Sequence, residues 1–241
     1  MLKIDLHLHT IASGHAYNTI LEYINQAKKL KMKMIGFSDH GPSGKDVFVN
    51  EVYFEVLPRI PKIINGIRIL KGIEVNILNK KGEIDISDKT IKEKLDYVIA
   101  GFHDKTDYKN RNLKNNTEAM INCIRSDKVD IISHPFVTDK FDINIEKVSL
   151  AACNHNVLLE INLHYITEKK IKPETLANLK IMIEVVKKCR KKIIIGSDAH
   201  NIWEMADDSP LKKIKKEIGL TDKMIINNYP EELLRLLKAE K

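Results

Sequence analysis

IDLHLHT, residues 4–10, decides how this chain folds. Its apolar positions mark a strand, and two histidines two residues apart on a strand project to the same face. His7 and His9 therefore read as a clamp for a metal ion, with Leu6 and Leu8 expected against surrounding helices. Alone, such a pair is a modest signal. It gains weight because ligand-type residues recur wherever a short apolar run gives way to a loop. His40 stands in FSDHG, Glu74 in KGIEVN, His103 in AGFHD, His134 in IISHP, and Asp198 with His200 in GSDAH. His15 follows one short turn after the first strand, where Ser13-Gly14 lets the backbone bend back. Seven of the nine histidines thus fall at such places, with one Glu and one Asp in equivalent positions.

Seven β-rich runs carry these residues: 3–9, 34–38, 68–75, 97–102, 130–133, 157–162 and 192–196. Helical stretches lie between them at 19–30, 113–125, 145–155 and 173–189, each with the apolar spacing of a helix that covers a sheet. Residues 43–66, holding Pro58 and Pro61, read as an insertion with a short helix. The stretch NKKGEID, 79–85, reads as a turn bent at Gly82. Two closing helices are expected at 210–218 and 230–238. Alternating β and α units fit either an open sheet or a closed barrel. The ligands discriminate, because residues delivered from six of seven strand ends converge at a barrel mouth and not across an open sheet. The expected fold is a single-domain α/β protein, residues 1–241, forming a distorted, TIM-like (β/α)7 barrel.

A chain of 241 residues is long enough for one such domain. The opening residues hold charges and no apolar signal core, and no run reaches membrane-spanning length, so a cytoplasmic protein without a membrane partner is expected. Cys123, Cys153 and Cys189 are odd in number, lack CxxC spacing and read as buried, structural free thiols. The net charge is +7, but only six of the 40 basic residues are Arg. The lysine-rich runs 187–192 and 212–216 read as solvated helix surface, and nucleic acid is a disfavoured partner that the composition does not exclude. A positive field favours small anionic substrates. The oligomeric state is open, a homo-oligomer included.

Nine ligand-type residues, His7, His9, His15, His40, Glu74, His103, His134, Asp198 and His200, exceed what one tetrahedral ion needs. Two or three ions are implied, held by imidazole and carboxylate without thiolate. Zinc is the first choice, with manganese and iron as alternatives. Glu74 is the candidate bridge, since two carboxylate oxygens can serve two cations. Asp39, beside His40, reads as the acceptor that fixes an imidazole tautomer. His155 reads as a helix-end cap, and His164 as either substrate-facing or surface. Clustered divalent ions suit in-line displacement at phosphorus, where they generate hydroxide and clamp phosphate oxygens. The chain has no P-loop and no GxSxG elbow to carry a covalent alternative.

The order HxH, His15, Asp39-His40, Glu74, His103, His134 and Asp198-Ala199-His200 resembles the polymerase and histidinol phosphatase (PHP) family over nearly the whole chain. DLHLHTIASGHAY, DHGP, GIEVNI, GEID, IAGFH, IISHP, LEIN and GSDAH resemble its YcdX-like bacterial phosphatases. The resemblance implies a distorted seven-stranded barrel with three zinc ions. It implies one ion on His7, His9, Glu74 and Asp198, a second on Glu74, His103 and His134, and a third on His15, His40 and His200.

The leading expectation is a phosphoric monoester hydrolase with a small phosphorylated substrate. A metal-bound hydroxide is its nucleophile, and Asp198 and Glu74 are its catalytic carboxylates. Lys105, Lys109 and Arg111 are candidate anion contacts. The alternative is a phosphodiesterase or exonuclease acting on nucleic acid, against which stand the few arginines. An amidohydrolase-type enzyme also opens a barrel with HxH, but does not need His15, His40 or the terminal DAH. A metal-storage protein predicts bound metal without turnover.

Overall fold

Strands buried on both faces need near-continuous apolar sequence, and the apolar runs of this chain form such strands. In the computed structural model, which describes residues 1–109, 112–166, 171–237 and 239, β1 (Ile4–Asp5), β2 (Met34–Phe37), β3 (Ile63–Ile64), β4 (Ile67–Asn76), β5 (Tyr97–Gly101), β6 (Ile131–Ile132), β7 (Leu158–Asn162) and β8 (Ile194–Gly196) make one sheet. Its order is β1-β2-β4-β5-β6-β7-β8, parallel throughout, with β3 set antiparallel on the start of β4. The ring closes between its last and first strands. Past their ends, His9 N–H donates to the Ala199 carbonyl at 3.0 Å and Ala199 N–H to that of His7 at 3.3 Å. At the other end of this seam the Asn227 side chain donates to the Ile4 and Ile195 carbonyls and accepts from the Ile195 N–H. The seven-stranded, TIM-like α/β barrel expected from the sequence is therefore the fold.

Among the described residues eight α-helices connect or close the strands: α1 (Ile20–Lys29), α2 (Glu51–Val56), α3 (Asp88–Lys94), α4 (Leu113–Arg125), α5 (Ile145–His155), α6 (Pro173–Lys188), α7 (Ser209–Ile214) and α8 (Pro230–Leu236). Thr19 and Glu22 start α1 with a reciprocal capping box, and Pro173 opens α6 where its missing N–H costs nothing. Among the described residues no helix is long and apolar enough to cross a membrane. Cys123, Cys153 and Cys189 are free; the first two are buried and the third is half-buried.

Apolar side chains form two layers. The outer one packs alternate strand residues such as Ile35, Ile69, Ile73 and Ile161 against the helices. The inner one fills the barrel with Ile4, Met34, Leu70, Ile99, Leu158 and Ile194, and is plugged from below by Leu233, Leu234 and Leu237 in and after α8. Leu6 joins this inner layer while Leu8 joins the outer one, so the expectation that both face the helices is corrected. Regular pairing of β1 stops at Asp5, and strict alternation stops with it.

Candidate metal centre

α8 plugs one end of the barrel interior, and the ligand-type side chains gather at the other, beyond the carboxyl ends of the strands. Glu74 stands there at the centre. It lies on the inner face of β4, two and four residues beyond Gly72 and Leu70, and is 1 % exposed. Its Oε1 is 3.3 Å from His7 Nε2, 3.2 Å from His103 Nε2 and 3.6 Å from His134 Nε2. Its Oε2 is 3.4 Å from His9 Nε2 and 3.0 Å from His40 Nδ1. Asp198 Oδ1 lies 3.0 Å from His9 Nε2, 3.5 Å from His7 Nε2 and 3.7 Å from His200 Nδ1. His15 completes the set, its Nε2 2.9 Å from His200 Nε2. All nine residues singled out in the sequence thus meet at one mouth, beneath a cavity of about 500 Å³.

The outward ring nitrogens fix which atoms face the centre. His7 Nδ1 donates to Glu160 Oε1 at 2.6 Å, so that in the neutral ring Nε2 is the lone pair that faces the centre. Ser13 Oγ donates to Asp39 Oδ1 at 2.7 Å, so it accepts from His9 Nδ1 at 3.1 Å, and His9 is held in the same tautomer. His103 Nδ1 donates to Asn76 Oδ1 at 2.7 Å, the Asn76 amide being oriented by its bond to Asp85. His200 Nδ1 donates to the Asp198 carbonyl at 3.0 Å. Its Nε2 then meets His15 Nε2 without a proton of its own to share.

Five buried atoms aimed inward, His7 Nε2, His9 Nε2, His103 Nε2 and both oxygens of Glu74, have no hydrogen-bond partner. Leaving them unpaired would cost several kcal/mol in a folded protein. Cations between them satisfy all five at once. Three groups, His7 with His9 and Asp198, His40 with Glu74 and His103, and His9 with His40 and His200, each bring ligand atoms within 4.8 Å of one another. Burial disfavours a charged His7, but Glu160, Glu74 and Asp198 outweigh it and hold that imidazole well above its ordinary range. For His9 burial wins, reinforced by His40 and His200, and lowers it well below 6.5. Burial and the same two neighbours bring His15 down to about 4.

Two of the nine sit on strained backbone. His134 has φ +37° and Asp198 φ +55°, the left-handed region that costs a non-glycine residue roughly 1–2 kcal/mol. Glu160 is the main functional residue that motif reading missed. Besides holding His7, it accepts from the His134 N–H and from Asn162 Nδ2, and Asn162 also reaches Asp198 Oδ2 at 3.1 Å. The signal was present in LEIN, two polar residues two apart in an apolar strand. Asp39 needs correction, since its carboxylate is occupied by Thr10, Ser13 and Tyr53 and supports His9 through Ser13, not the His40 ring. Lys105 lines the cavity, whereas Lys109 donates to the Thr106 carbonyl and Arg111 lies outside the described residues.

Fold and site together define an α/β-barrel protein whose mouth carries clustered His, Glu and Asp side chains able to bind metal. The PHP domain model matches residues 5–164, and the chain belongs to that family. It is 39% identical over 239 residues to a protein of Shewanella piezotolerans named "probable phosphatase", covering 98% of this chain and 93% of that one. A "probable phosphatase" of Proteus mirabilis is also 39% identical, over 242 residues, with 99% and 95% covered. Among solved structures, the histidinol phosphate phosphatase of Lactococcus lactis, complexed with zinc, L-histidinol and phosphate, superimposes with a TM-score of 0.59. It is 16% identical, with 90% of this chain and 94% of that one covered, and supports the fold.

Proposed function

We propose that the whole chain is one metal-dependent phosphatase domain that hydrolyses phosphoric monoesters at a trinuclear centre. The observation that carries this is the set of five unpaired, buried ligand atoms converging on Glu74. Two further facts support it: the relatives named probable phosphatases, and the zinc and phosphate in the fold neighbour. Nitrogen and oxygen donors without thiolate suit zinc, with manganese and iron as the other choices. His7, His9, Glu74 and Asp198 would hold one ion, Glu74, His103 and His134 a second, and His15, His40 and His200 a third. His40 Nδ1, 3.0 Å from Glu74, would be within reach of the second group as well as the third.

Bound there, such ions would supply water of lowered pKa and positive charge against the phosphate oxygens. The chain's own residues do the rest. Glu160, Ser13 and Asn76 keep three imidazoles in the tautomer whose Nε2 faces inward. Glu74 and Asp198 offset the positive charge of the centre, and Tyr165 and His164 wall the cavity above it. Protein purified with its metal should release inorganic phosphate from p-nitrophenyl phosphate and leave bis(p-nitrophenyl) phosphate and single-stranded DNA uncut. His9→Ala and Asp198→Ala should each lower turnover by more than about a thousandfold, as loss of a ligand does in a site of this kind. Wild-type rates in either variant, or cleavage of the diester in preference to the monoester, would overturn the proposal, the latter in favour of a phosphodiesterase.

A further inference from the structure

The loops around the mouth are stitched to one another by lysine–aspartate pairs. Asp46, after β2, pairs with Lys105, after β5, and Lys45 with Asp107 across the same two loops. Asp104 pairs with Lys140, after β6, and Asp139 with Lys172, just before α6. Pairs this exposed contribute little stability, so their partners are exchangeable. One of them differs from the others. Lys105 and Asp46 both line the cavity above the metal centre, and among its described lining residues Lys105 is the only lysine or arginine.

The backbones beneath this pair are tied in place, while its side chains reach solvent. Lys45 N–H donates to the Lys105 carbonyl at 2.8 Å, tying the two loops together. Gly14, at φ +83°, lies so close to the Asp46 carbonyl that a Cβ there would come within 1.9 Å of it. Asp46 is thereby pinned beside the loop that carries His15, and His15, Asp46 and Lys105 line the same cavity. The side chains of Lys105 and Asp46 are themselves 69% and 45% exposed. A dianion entering this cavity meets one solvent-exposed ammonium, already at the lip and already paired with a carboxylate of lower charge.

We propose that Lys105 is the phosphate-recognition residue of this site, held by Asp46 in the resting state and released to the substrate's phosphoryl oxygens on binding. The proposal rests on the phosphatase reading for its substrate class. The partner exchange makes Asp46 a competitor of substrate, so the two residues must act with opposite signs. Removing the cation weakens phosphate binding; removing the carboxylate that competes for it strengthens binding.

Zinc-loaded wild type, Lys105→Met, Asp46→Asn, the double variant and Lys105→Arg would be titrated with inorganic phosphate by calorimetry and assayed with p-nitrophenyl phosphate. Lys105→Met should weaken phosphate binding and raise KM about tenfold, the size of one charge-assisted contact, with kcat changed less than about threefold. Asp46→Asn should tighten phosphate binding and lower KM, and the double variant should match Lys105→Met. Lys105→Arg should keep most of the wild-type affinity. If the pair only latches two loops together, both single variants break the same bond and shift phosphate affinity in the same direction. That result, or unchanged affinity in Lys105→Met, overturns the proposal. A wild type that binds phosphate but turns over no monoester would sink the phosphatase reading, while the signs of the two affinity shifts would still decide the role of Lys105.

Discussion

Glu74 shows how much one residue can be asked to do. Two carboxylate oxygens face five imidazole nitrogens at 3.0–3.6 Å, and neither oxygen has a hydrogen bond. Burial would raise its pKa, but His7 and His103 outweigh that and hold Glu74 well below the usual carboxylate range. Glu74→Gln keeps the volume and replaces one oxygen by a donor group aimed at the ligand nitrogens. It should lose at least one equivalent of metal by elemental analysis, and activity should fall by more than about a thousandfold. Glu160→Gln acts one step out. It leaves His7 in place but weakens the bond that sets its tautomer, so metal affinity or kcat/KM should drop by roughly 10- to 100-fold; wild-type values for both quantities would remove Glu160 from the centre. The nine ligand-type residues were legible because each stands at the end of an apolar run. Their supports were not, because Ser13 with Asp39, Asn76 with His103 and Glu160 with His7 are joined across 26, 27 and 153 residues. No local pattern marks such partnerships.

Among the elements, β5 illustrates how the barrel makes room for its site. Tyr97 enters the inner layer from the start of β5, and its hydroxyl donates to the Leu6 carbonyl at 2.6 Å across the barrel. The ring can lie there because Gly36 on β2 and Gly72 on β4 carry no side chain: a Cβ on Gly72 would fall 2.2 Å from the Tyr97 ring. Gly72→Ala should therefore destabilise the protein by about 1–3 kcal/mol through overpacking. In a Tyr97→Leu background the same change should cost clearly less, since the atom it strikes is gone. Urea unfolding of the four proteins measures both, and additive effects would show that the ring does not occupy this place. The helices at α1, α4, α5 and α6 were legible from apolar spacing. The seven-residue α3 was not anticipated, being too short to show a period, and its Ser87 cap is its clearest mark. β3 escaped because a two-residue strand has no alternation to detect. β1 was overestimated, since its apolar run continues to the mouth while its ladder pairing with β2 covers only Ile4 and Asp5. Sequence reports what is buried, and strand length depends on which neighbours a closed ring provides.

For the molecule as a whole, the metal centre couples stability to pH in a direction that can be worked out. Without ions, His7 and His103 have raised pKa values: burial opposes their charged forms, and the carboxylates around Glu74 outweigh it. A raised histidine contributes stability that is fully present below its unfolded value of 6.5 and is lost as pH rises through the folded value. Glu74 and Asp198 are lowered, so their contribution is present above their ordinary values of 4.5 and 3.8 and is lost as pH falls through the folded values. His9 and His15, which are lowered, take stability away as pH falls below 6.5, so the metal-free protein should be most stable near 6.5 and weaken on the alkaline side as His7 and His103 lose the protons that balance the carboxylates. Metal ions compete with those protons, so their affinity, and the stabilisation they confer on the folded state, increases as pH rises. The two trends diverge. Calorimetric Tm values of zinc-loaded and EDTA-stripped protein should separate by a gap that widens from about pH 6 to about pH 8.5, because ligand deprotonation favours only the loaded form. A gap that stays constant or narrows over that range would mean that these imidazoles are not exchanging protons for metal.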